Sequence, residues 1–391
     1  MTTPLITELD ELLAETVAHA VERERTEFDR LAGPASASIV LFGARKMGRI
    51  ALAGLRKAAI EPLAFSDNND ALWGQSIDGL EVLSPVAAAK RFGDSAVFVI
   101  TAWGQGSTDL MRDREAALRN LGCKRVISFG PLFWKYADIF LPRIPAMDLP
   151  HKVIEQSDVV RKAFTVLSDE RSRREFVAQL RWRLLFDFDA LPDPVAEPIY
   201  FPADVAPLGV DEVYVDCGAF DGDTILDFLR RCRSSFRAVV AVEPDPVSLA
   251  RLHQALEALP TGIQARIRVV PAATASQHGT VRFSQTGELG SAIGAGNLEV
   301  PCVTLDEVLA ADAPTYIKMD IEGAEPDTLL GARQVIARHA PVLAACAYHI
   351  QDHLWRLPCL MNSLNPDYRI YLRQHIQMVE DLVCYAVPPQ R

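Results

Sequence analysis

The stretch VYVDCGAFDGDT, residues 213–224, constrains the fold of this chain more than any other. A β-branched run ends at Asp216, and Gly218 and Gly222 follow before an apolar helical pattern resumes. This succession is typical of a strand, a glycine turn and a helix at the start of a parallel α/β unit. Later apolar runs, among them AVVAVEP, TYIKMDIEG and VLAACAY, alternate with helical patterns. The alternation predicts a doubly wound sheet in the C-terminal part of the chain.

A second series of the same kind lies nearer the N-terminus. SIVLFGARKMGRIALAGLRKAAIEPLAFSDNND indicates strand, glycine turn, helix and strand, the opening of a Rossmann-like unit. Its dinucleotide fingerprint is incomplete: Gly43 and Gly48 are present, but Arg45 stands where a middle glycine would let the backbone approach a pyrophosphate. We therefore expect an α/β protein with two Rossmann-like doubly wound domains joined by a helical linker.

The length of 391 residues also favours two domains over one. The pattern predicts an N-terminal helix over 1–32 and a Rossmann-like nucleotide-binding, substrate-binding or docking domain over 33–135. Proline-rich edges around a helical centre predict the linker over 136–210. The second doubly wound domain then occupies 211–391.

Composition excludes several classes of partner. A formal net charge of −11 argues against nucleic acid, because phosphate binding needs clustered Lys and Arg. No apolar run approaches membrane-spanning length, so we expect no membrane span. The N-terminus lacks the basic start and apolar centre of a signal peptide, and the seven cysteines form no C-x-x-C pair. Reduced thiols and a cytoplasmic location are the expectation.

The charge of the glycine loop within residues 213–224 indicates which ligand it binds. Asp216, Asp221 and Asp223 would repel a pyrophosphate but suit the ammonium and sulfonium of S-adenosylmethionine. Glu243 ends the next predicted strand, where its carboxylate can accept two ribose hydroxyl hydrogen bonds. The alternative is that Asp216 and Asp223 only cap a helix and that Glu243 begins an exposed turn.

Four segments carry a resemblance to a known family. VDCGAFDGDT, VEPDP, VTLDEVL and YIKMDIEGAEPDTLLGA resemble the successive motifs of the FkbM family of S-adenosylmethionine-dependent methyltransferases, over roughly residues 196–388. The resemblance implies a class I methyltransferase fold for 211–391 and S-adenosylmethionine as the cofactor. It implies that Asp216, Gly218, Gly222 and Glu243 hold the cofactor, that Asp245, Ala272 and Ala273 lie near the adenine, and that Ala219, Phe220, Asp223, Thr224 and Pro244 complete the site. For Asp245 and the two alanines, a plain turn and a buried strand end are equal alternatives.

The segment YIKMDIEGAE supplies candidate residues for the reaction. Asp320 ends a predicted buried strand, the place where ligands of open α/β sheets collect. Asp320 can orient an acceptor hydroxyl, act as its base or help to bind a divalent ion, and Glu322 in the following turn is a further catalytic candidate. The alternative is that Asp320 and Glu322 cap the next helix. Lys318 shares its face of the strand and can equally be a structural ion-pair partner. His349, at the end of VLAACAYH, is a candidate general base near neutral pH.

Other residues near these strands leave alternatives open. His353 lies four positions after His349, so a metal pair is conceivable, although a loop histidine is the simpler interpretation and no metal ligand is predicted. A divalent metal is therefore left open as a cofactor but not predicted. His375 belongs to a predicted C-terminal hairpin strand. Tyr200 and Phe201 can close over the cleft as a lid or serve as packing anchors.

The sequence predicts an enzyme that transfers a methyl group from S-adenosylmethionine to a hydroxyl of a sugar, nucleotide-sugar or glycan precursor, with the oxygen acceptor resting on the resemblance. One alternative keeps the cofactor and methylates a carboxylate or nitrogen of a small metabolite or peptide. Another is an NAD(P)-dependent oxidoreductase or nucleotide-sugar-binding protein that works through 33–135, where Arg45, Lys46 and Arg49 suit phosphate. That segment resembles domains of bacterial sugar-modifying enzymes in surface-polysaccharide biosynthesis. Partners are a small-molecule or glycan-precursor substrate, with a homodimer left open.

Overall fold

A computed structural model describes residues 4–103, 110–142, 144–283, 298–376 and 379–391. The chain divides into two compact units. The N-terminal unit comprises Met1–Ser157 and Ala178–Pro192, and the C-terminal unit comprises Asp158–Val177 and Asp193–Arg391. Residues 136–210, predicted as a linker, are thus divided between the units. The physical reason is burial, because Phe164 lies in the interior of the C-terminal unit and Trp182 in that of the N-terminal unit.

The N-terminal unit begins with helices where the sequence predicted a single helix. Thr16 separates them, because its hydroxyl accepts a hydrogen bond from the His19 N–H and so starts a new helix. The helices are α1 (Leu5–Leu12), α2 (Val17–Ala32), α3 (Lys46–Lys57), α4 (Pro85–Phe92), α5 (Met111–Asn120), α6 (Phe129–Lys135), α7 (Ala137–Phe140) and α8 (Pro150–Glu155). Helix α9 (Ser157–Val166) belongs almost wholly to the C-terminal unit, and α10 (Glu170–Leu185) contributes to both units.

A six-stranded sheet forms the centre of the N-terminal unit. Its strands are β1 (Ile39–Phe42), β2 (Ala64–Ser66), β3 (Ser76–Ile77), β4 (Leu80–Leu83), β5 (Val97–Ile100) and β6 (Arg125–Ser128), in the order β3-β4-β2-β1-β5-β6. All neighbours pair in parallel except β3 and β4. Gly48 lets α3 pack closely on the loop after β1, since a Cβ there would lie 1.8 Å from the Gly43 carbonyl oxygen.

The C-terminal unit is built around a seven-stranded sheet. The described strands of the unit, in both of its sheets, are β7 (Glu212–Cys217), β8 (Phe236–Val242), β9 (Ile267–Val270), β10 (Ala273–Thr274), β11 (Gly279–Phe283), β12 (Leu298–Val303), β13 (Tyr316–Met319), β14 (Val342–Cys346), β15 (Arg369–Gln374) and β16 (Leu382–Val387). Its further helices are α11 (Asp223–Arg231), α12 (Pro246–Glu257), α13 (Thr261–Gln264), α14 (Leu305–Val308), α15 (Glu325–Gly331), α16 (Arg333–His339) and α17 (His353–Leu364). Strands β10, β12 and β11 form a separate small sheet.

The strand order of the large sheet is β15-β16-β14-β13-β7-β8-β9. The neighbours among β14, β13, β7, β8 and β9 pair in parallel, whereas β16 runs antiparallel to both β14 and β15. Strands β7, β13 and β14 are buried along their whole length, which suits the continuous apolar run of β14, while β7 and β13 also bury the charged Asp216 and Lys318. The predicted α/β class with doubly wound sheets is confirmed. The loops after β7, β8, β13 and β14 leave one edge of this sheet, and the candidate site lies there.

An aromatic cluster fills one face of the large sheet. The rings of Tyr214 and Phe228 stack at 4.5 Å, and Phe201 packs against Tyr214 and Tyr316. This packing fixes β7, β13 and the segment before β7 against one another. Among the described helices, none combines the length and apolar character that a bilayer crossing needs.

Candidate active site

The loop between β7 and α11 turns sharply beneath the site. Gly218 has a φ of +79°, and a Cβ at that position would lie 1.9 Å from the Asp320 carbonyl oxygen. Only glycine fits this position, because both the backbone conformation and the close approach exclude a side chain. The N–H groups of Gly218 and Ala219 donate to the Val242 carbonyl at 2.9 and 3.2 Å. The loop is thereby tied to the end of the neighbouring strand β8.

Glu243 follows β8 and lies buried against this loop. Its Oε2 accepts a hydrogen bond from the Phe220 N–H at 2.9 Å, and its Oε1 accepts one from the Asp245 N–H at 2.8 Å. Burial raises the pKa of Glu243, and these two amide hydrogen bonds oppose the rise. Because a carboxylate oxygen accepts more than one hydrogen bond, the amides orient the group and leave lone pairs for a ligand.

Asp245 has a structural role in the same turn. It is the N-cap of α12, and its carboxylate accepts the Val247 N–H at 2.8 Å. This is the plain-turn alternative for the residue. At the start of α11, Asp223 is exposed and its Oδ1 accepts hydrogen bonds from the N–H and hydroxyl of Thr224, at 2.6 and 3.2 Å. Asp221 Oδ1 accepts the Asp223 N–H at 3.3 Å, so these carboxylates shape the first turn of the helix.

A cavity of about 50 Å³ lies beside the Gly218 loop. It is lined by Gly218, Val242, Pro244, Ala272, Ala273, Thr274, Ile321 and Ala324. Four of these residues, Gly218, Pro244, Ala272 and Ala273, belong to the cofactor site expected from the sequence. Thr274, one of the lining residues, shares a buried hydrogen bond of 2.7 Å between its hydroxyl and that of Thr328. The two alanines are buried strand-end residues and also face this cavity.

Asp216 and Lys318 form a buried ion pair beneath the loop. The Lys318 ammonium lies 2.9 Å from Asp216 Oδ1 and donates to the Gly218 carbonyl at 2.8 Å. Burial lowers the pKa of Lys318, but the carboxylates of Asp216 and Asp320 outweigh it and hold this pKa above its usual value. The side chain of Lys318 is only 2% exposed. The ammonium therefore supports the loop, as in the ion-pair alternative.

Asp320 follows β13 and opens toward the surface, with 28% of its side chain exposed. Its Oδ2 accepts a hydrogen bond from the Tyr200 hydroxyl at 2.7 Å, and its Oδ1 lies 3.2 Å from His349 Nε2. Burial raises the pKa of Asp320, but the adjacent His349 imidazole and the charge of Lys318 outweigh it. The pKa of Asp320 therefore lies below its ordinary value, and the group is a carboxylate at neutral pH.

His349 follows β14 and lies among carboxylates. Its Nδ1 is 2.7 Å from Glu325 Oε1, while its Nε2 is 3.2 Å from Asp320 Oδ1 and 3.7 Å from Glu322 Oε2. Burial lowers the pKa of His349, but Glu325 and Asp320 raise it well above its ordinary value. At neutral pH the imidazole is therefore protonated. It becomes a base only after losing that proton, which differs from the expectation of a base already poised near neutral pH.

The structure adds three residues to this site that sequence reasoning undervalued. Tyr200 is buried like a packing anchor rather than a lid, yet its hydroxyl reaches Asp320. Glu325, the first residue of α15, turns inward to His349. Asp381 precedes β16, which pairs with β14. Burial first, and then the charge of Asp320, raises the pKa of Asp381 to about 6. Glu325 lies in the segment YIKMDIEGAE and Tyr200 was a candidate for a lid, whereas nothing in the sequence pointed to Asp381.

The two other histidines considered in the sequence, His353 and His375, contact buried protein groups. His353 is fully buried at the start of α17, with Nδ1 3.3 Å from Glu325 Oε2. His375 lies just after β15, where Nε2 is 2.9 Å from the Tyr385 hydroxyl and Nδ1 is 3.2 Å from the Glu197 carbonyl. Within the described part of the chain, no group of three or more His, Cys, Asp or Glu residues is arranged to hold a metal ion.

Comparison with known proteins bears on this arrangement. Residues 216–375 match the sequence profile described as the Methyltransferase FkbM domain. The C-terminal unit contains a methyltransferase domain of the FkbM family. The matched range of this FkbM domain begins at Asp216 and includes Glu243, Asp320 and His349. A comparison with curated proteins gave no match.

Solved structures show the fold of the FkbM domain and of the chain around it. The crystal structure of a methyltransferase FkbM from Methylobacillus flagellatus KT aligns with a TM-score of 0.80 at 23% identity, over 98% of this chain and 100% of that chain. The predicted methyltransferase fold is thus confirmed.

Two further structures align with a smaller share of the chain. One is a precorrin-6y C5,15-methyltransferase from Geobacter metallireducens GS-15, with a TM-score of 0.30 at 12% identity, over 46% of this chain and 82% of that chain. The other is a putative methyltransferase from Streptococcus mutans in complex with SAH, with a TM-score of 0.29 at 11% identity, over 47% of this chain and 91% of that chain.

Proposed function

We propose that the chain transfers a methyl group from S-adenosylmethionine to a hydroxyl oxygen of a sugar, nucleotide-sugar or glycan precursor. The observation that carries the cofactor assignment is the cavity beside the Gly218 loop together with the oriented carboxylate of Glu243. The small side chains around the cavity suit the flat face of an adenine, and the free lone pairs of Glu243 suit ribose hydroxyls. The aspartates of the loop suit a ligand that carries positive charge.

The bound cofactor would supply an activated sulfonium methyl group. The tasks left to the protein are to hold the acceptor oxygen in line and to remove its proton. Asp320 can accept a hydrogen bond from the acceptor hydroxyl, since its carboxylate is held ionised and partly exposed. His349 Nε2 lies on the same side of the site and can take the proton once the imidazole is neutral. Glu322, 3.7 Å from the same nitrogen, adds negative charge there.

The charge at this end of the site favours an uncharged acceptor. Asp320 and Glu322 are partly exposed and Asp381 is half-buried, whereas the nearby Lys318 ammonium is enclosed beneath the loop. Carboxylates repel an anionic acceptor at short range. A hydroxyl therefore fits better than the alternative acceptor carboxylate. A nitrogen acceptor is compatible with this charge and is the alternative that an assay must separate from the hydroxyl.

A second candidate function concerns the N-terminal unit. A cavity of about 670 Å³ is lined by Arg45, Lys46, Arg49 and Asn69, among others. Asp67, at the end of β2, accepts the Ala44 N–H at 2.8 Å and so resembles Glu243 in its relation to the preceding loop. These observations favour a phosphate-bearing ligand there, such as a nucleotide-sugar or NAD(P). Calorimetry with both ligands on the Lys46→Glu variant would test it, and unchanged heats would reject it.

Calorimetry with S-adenosylmethionine and its demethylated product tests the cofactor site. Glu243→Ala should abolish binding, because the variant loses the acceptor for ribose hydroxyls and the partner of two loop amides. Glu257→Ala, an exposed glutamate on α12, is the control and should bind normally. No heat with wild-type protein, or stabilisation by NAD(P) alone, would reject the proposal.

A second experiment tests the role of Asp320 in methyl transfer. Asp320→Ala should keep cofactor binding and lose turnover, since Asp320 lies outside the cavity lining. Mass spectrometry should show a gain of one methyl group on a sugar, nucleotide-sugar or glycan fragment incubated with wild-type protein. Methylation only of amines or carboxylates would replace the proposed acceptor. Loss of binding in Asp320→Ala would show that the residue supports the cofactor site.

A further inference from the structure

We propose that Glu325 is the positioning residue for His349: it fixes the imidazole by its Nδ1 atom and keeps Nε2 directed to the acceptor side of the site. The inference rests on the proposed function, because it assigns the proton-transfer partner in that reaction. Glu325 is fully buried at the first position of α15, where a glutamate at an exposed helix start would normally point to water. Here the side chain turns inward and meets His349.

The contacts of Glu325 define its orientation. Its Oε1 lies 2.7 Å from His349 Nδ1 and also accepts the Ile321 N–H at 3.1 Å. Its Oε2 lies 3.3 Å from His353 Nδ1. A carboxylate only accepts hydrogen bonds, so the proton of this short contact sits on His349 Nδ1. The tautomer is thereby set, and Nε2 is the nitrogen that exchanges a proton.

The second ring nitrogen of His349, Nε2, has surroundings that suit an atom that accepts a proton. Nε2 lies 3.2 Å from Asp320 and 3.7 Å from Glu322, yet among the described residues it has no aligned hydrogen-bond partner. Without its proton, Nε2 would direct a lone pair at the Asp320 carboxylate, which is unfavourable. An acceptor hydroxyl that approaches Nε2 beside the Asp320 carboxylate removes the conflict, since it can donate its proton to this nitrogen. In that step the hydroxyl proton moves to Nε2 as the oxygen bonds to the methyl carbon and the carbon–sulfur bond breaks.

The charged and titratable groups around His349 come from each element packed on it. Lys318 lies on β13, and Asp320 and Glu322 follow that strand. Glu325 lies on α15, His353 on α17 and Asp381 before β16, while Tyr348 directly precedes His349. Burial lowers the pKa of His349, and among the groups that raise this pKa the charge of Glu325 has the largest effect. The pKa of His353 is lowered by burial, so His353 is neutral and competes little for the charge of Glu325.

The direction of the pH dependence follows from this set. A raised pKa means that neutral His349 increases as pH rises, so kcat/KM should rise with pH to an inflection well above 6.5. Glu325→Gln keeps the shape of the side chain and removes its charge. The inflection should then move to lower pH, and kcat on the high-pH plateau should fall at least tenfold, because the imidazole is less basic and less firmly held.

The decisive measurement is the titration of His349 by NMR in wild-type protein and in three variants. Glu325→Gln should lower the pKa of His349. Glu325→Asp should keep it raised but reduce kcat, since the charge remains and the reach shortens. Asp327→Asn, which removes an exposed charge two positions along the same helix, should leave both unchanged. Melting curves select the variants that fold.

The outcomes separate this proposal from the proposed function. An unchanged titration of His349 in folded Glu325→Gln would overturn the positioning role, whether or not methyl transfer is observed. Absence of methyl transfer by wild-type protein with every acceptor would reject the proposed function but leave the titration result standing. A drop in kcat for Glu325→Gln with no shift of the pH profile would also count against the proposal, because a merely structural role predicts that pattern.

Discussion

Tyr200 shows how a single hydroxyl tunes the site. Its side chain is buried, its backbone has a φ of +68°, and its N–H donates to the Tyr385 hydroxyl at 3.1 Å. The ring is therefore held where its own hydroxyl donates to Asp320 at 2.7 Å. Hydrogen bonds to the ionised form lower the pKa of a carboxyl group. The residue thus helps to keep Asp320 charged.

Tyr200→Phe tests this role without changing the packing. The pKa of Asp320 should rise toward its ordinary value, and turnover should fall by about tenfold, the equivalent of roughly 1.4 kcal/mol for a hydrogen bond to a charged group. Cofactor affinity should stay the same. Steady-state kinetics and calorimetry measure these effects, with Tyr371→Phe on β15 as the control. Equal turnover in the two variants would contradict a role for the Tyr200 hydroxyl.

At the scale of elements, the pair of Asp216 and Lys318 joins β7 to β13. Both side chains are buried, and the two residues are directly opposite each other in the parallel register. Lys318→Met would leave the carboxylate of Asp216 buried without its partner, which should cost roughly 3–5 kcal/mol in the free energy of unfolding. The double variant Asp216→Asn/Lys318→Met should recover most of this loss. Urea unfolding measures both, and a single variant as stable as wild type would contradict the argument.

The pH dependence of this pair follows from the same pKa. The pKa of Lys318 in the folded protein lies above its ordinary value of 10.5. A cation whose pKa is raised by folding contributes fully below the unfolded value, and the contribution is lost as pH rises through the folded value. The pair should therefore stabilise the protein throughout the neutral range. Strongly alkaline solutions should remove its effect by deprotonating Lys318, and acid should remove it by protonating Asp216, whose pKa is raised by burial.

The strand ends were predictable because parallel strands bring their carboxyl ends to one edge. Glu243, Asp320 and His349 each follow a buried run, and the structure places them along that edge. The inward turn of Glu325 was not predictable, since the sequence equally allows a helix cap in water. Tyr200 lies 120 positions before Asp320, and its contact depends on packing that no local pattern describes. Asp381 depends on the register of the hairpin β15–β16.

At the scale of the whole molecule, the sequence placed the second domain from residue 211, whereas the C-terminal unit also contains 158–177. The guanidinium of Arg373 on β15 explains this difference. It donates to Asp169 and to Asp204, each at 2.8 Å, and it is buried. Both carboxylates precede residue 211, and ion pairs of such long sequence separation leave no pattern in the sequence.

Two fragments test these boundaries. A fragment over 211–391 lacks both partners of Arg373 and also lacks Tyr200, whereas 158–391 keeps them. Leaving a buried cation unpaired should cost roughly 3–5 kcal/mol, which corresponds to a melting temperature lower by about 10 °C in a domain of this size. Calorimetric melting curves compare the two. Equal melting temperatures would show that 158–177 adds nothing to the C-terminal unit.

One short segment connects the cavity with the histidine. Ile321 and Ala324 line the cavity, and the Ile321 N–H also donates to the carboxylate of Glu325 that faces His349. A molecule that displaces this backbone on entering the cavity changes the hold of Glu325 on its proton-bearing neighbour. By thermodynamic reciprocity, acidity then alters how tightly the cavity retains its occupant. Ligand binding in the cavity and proton exchange at His349 are thus coupled through the five residues 321–325.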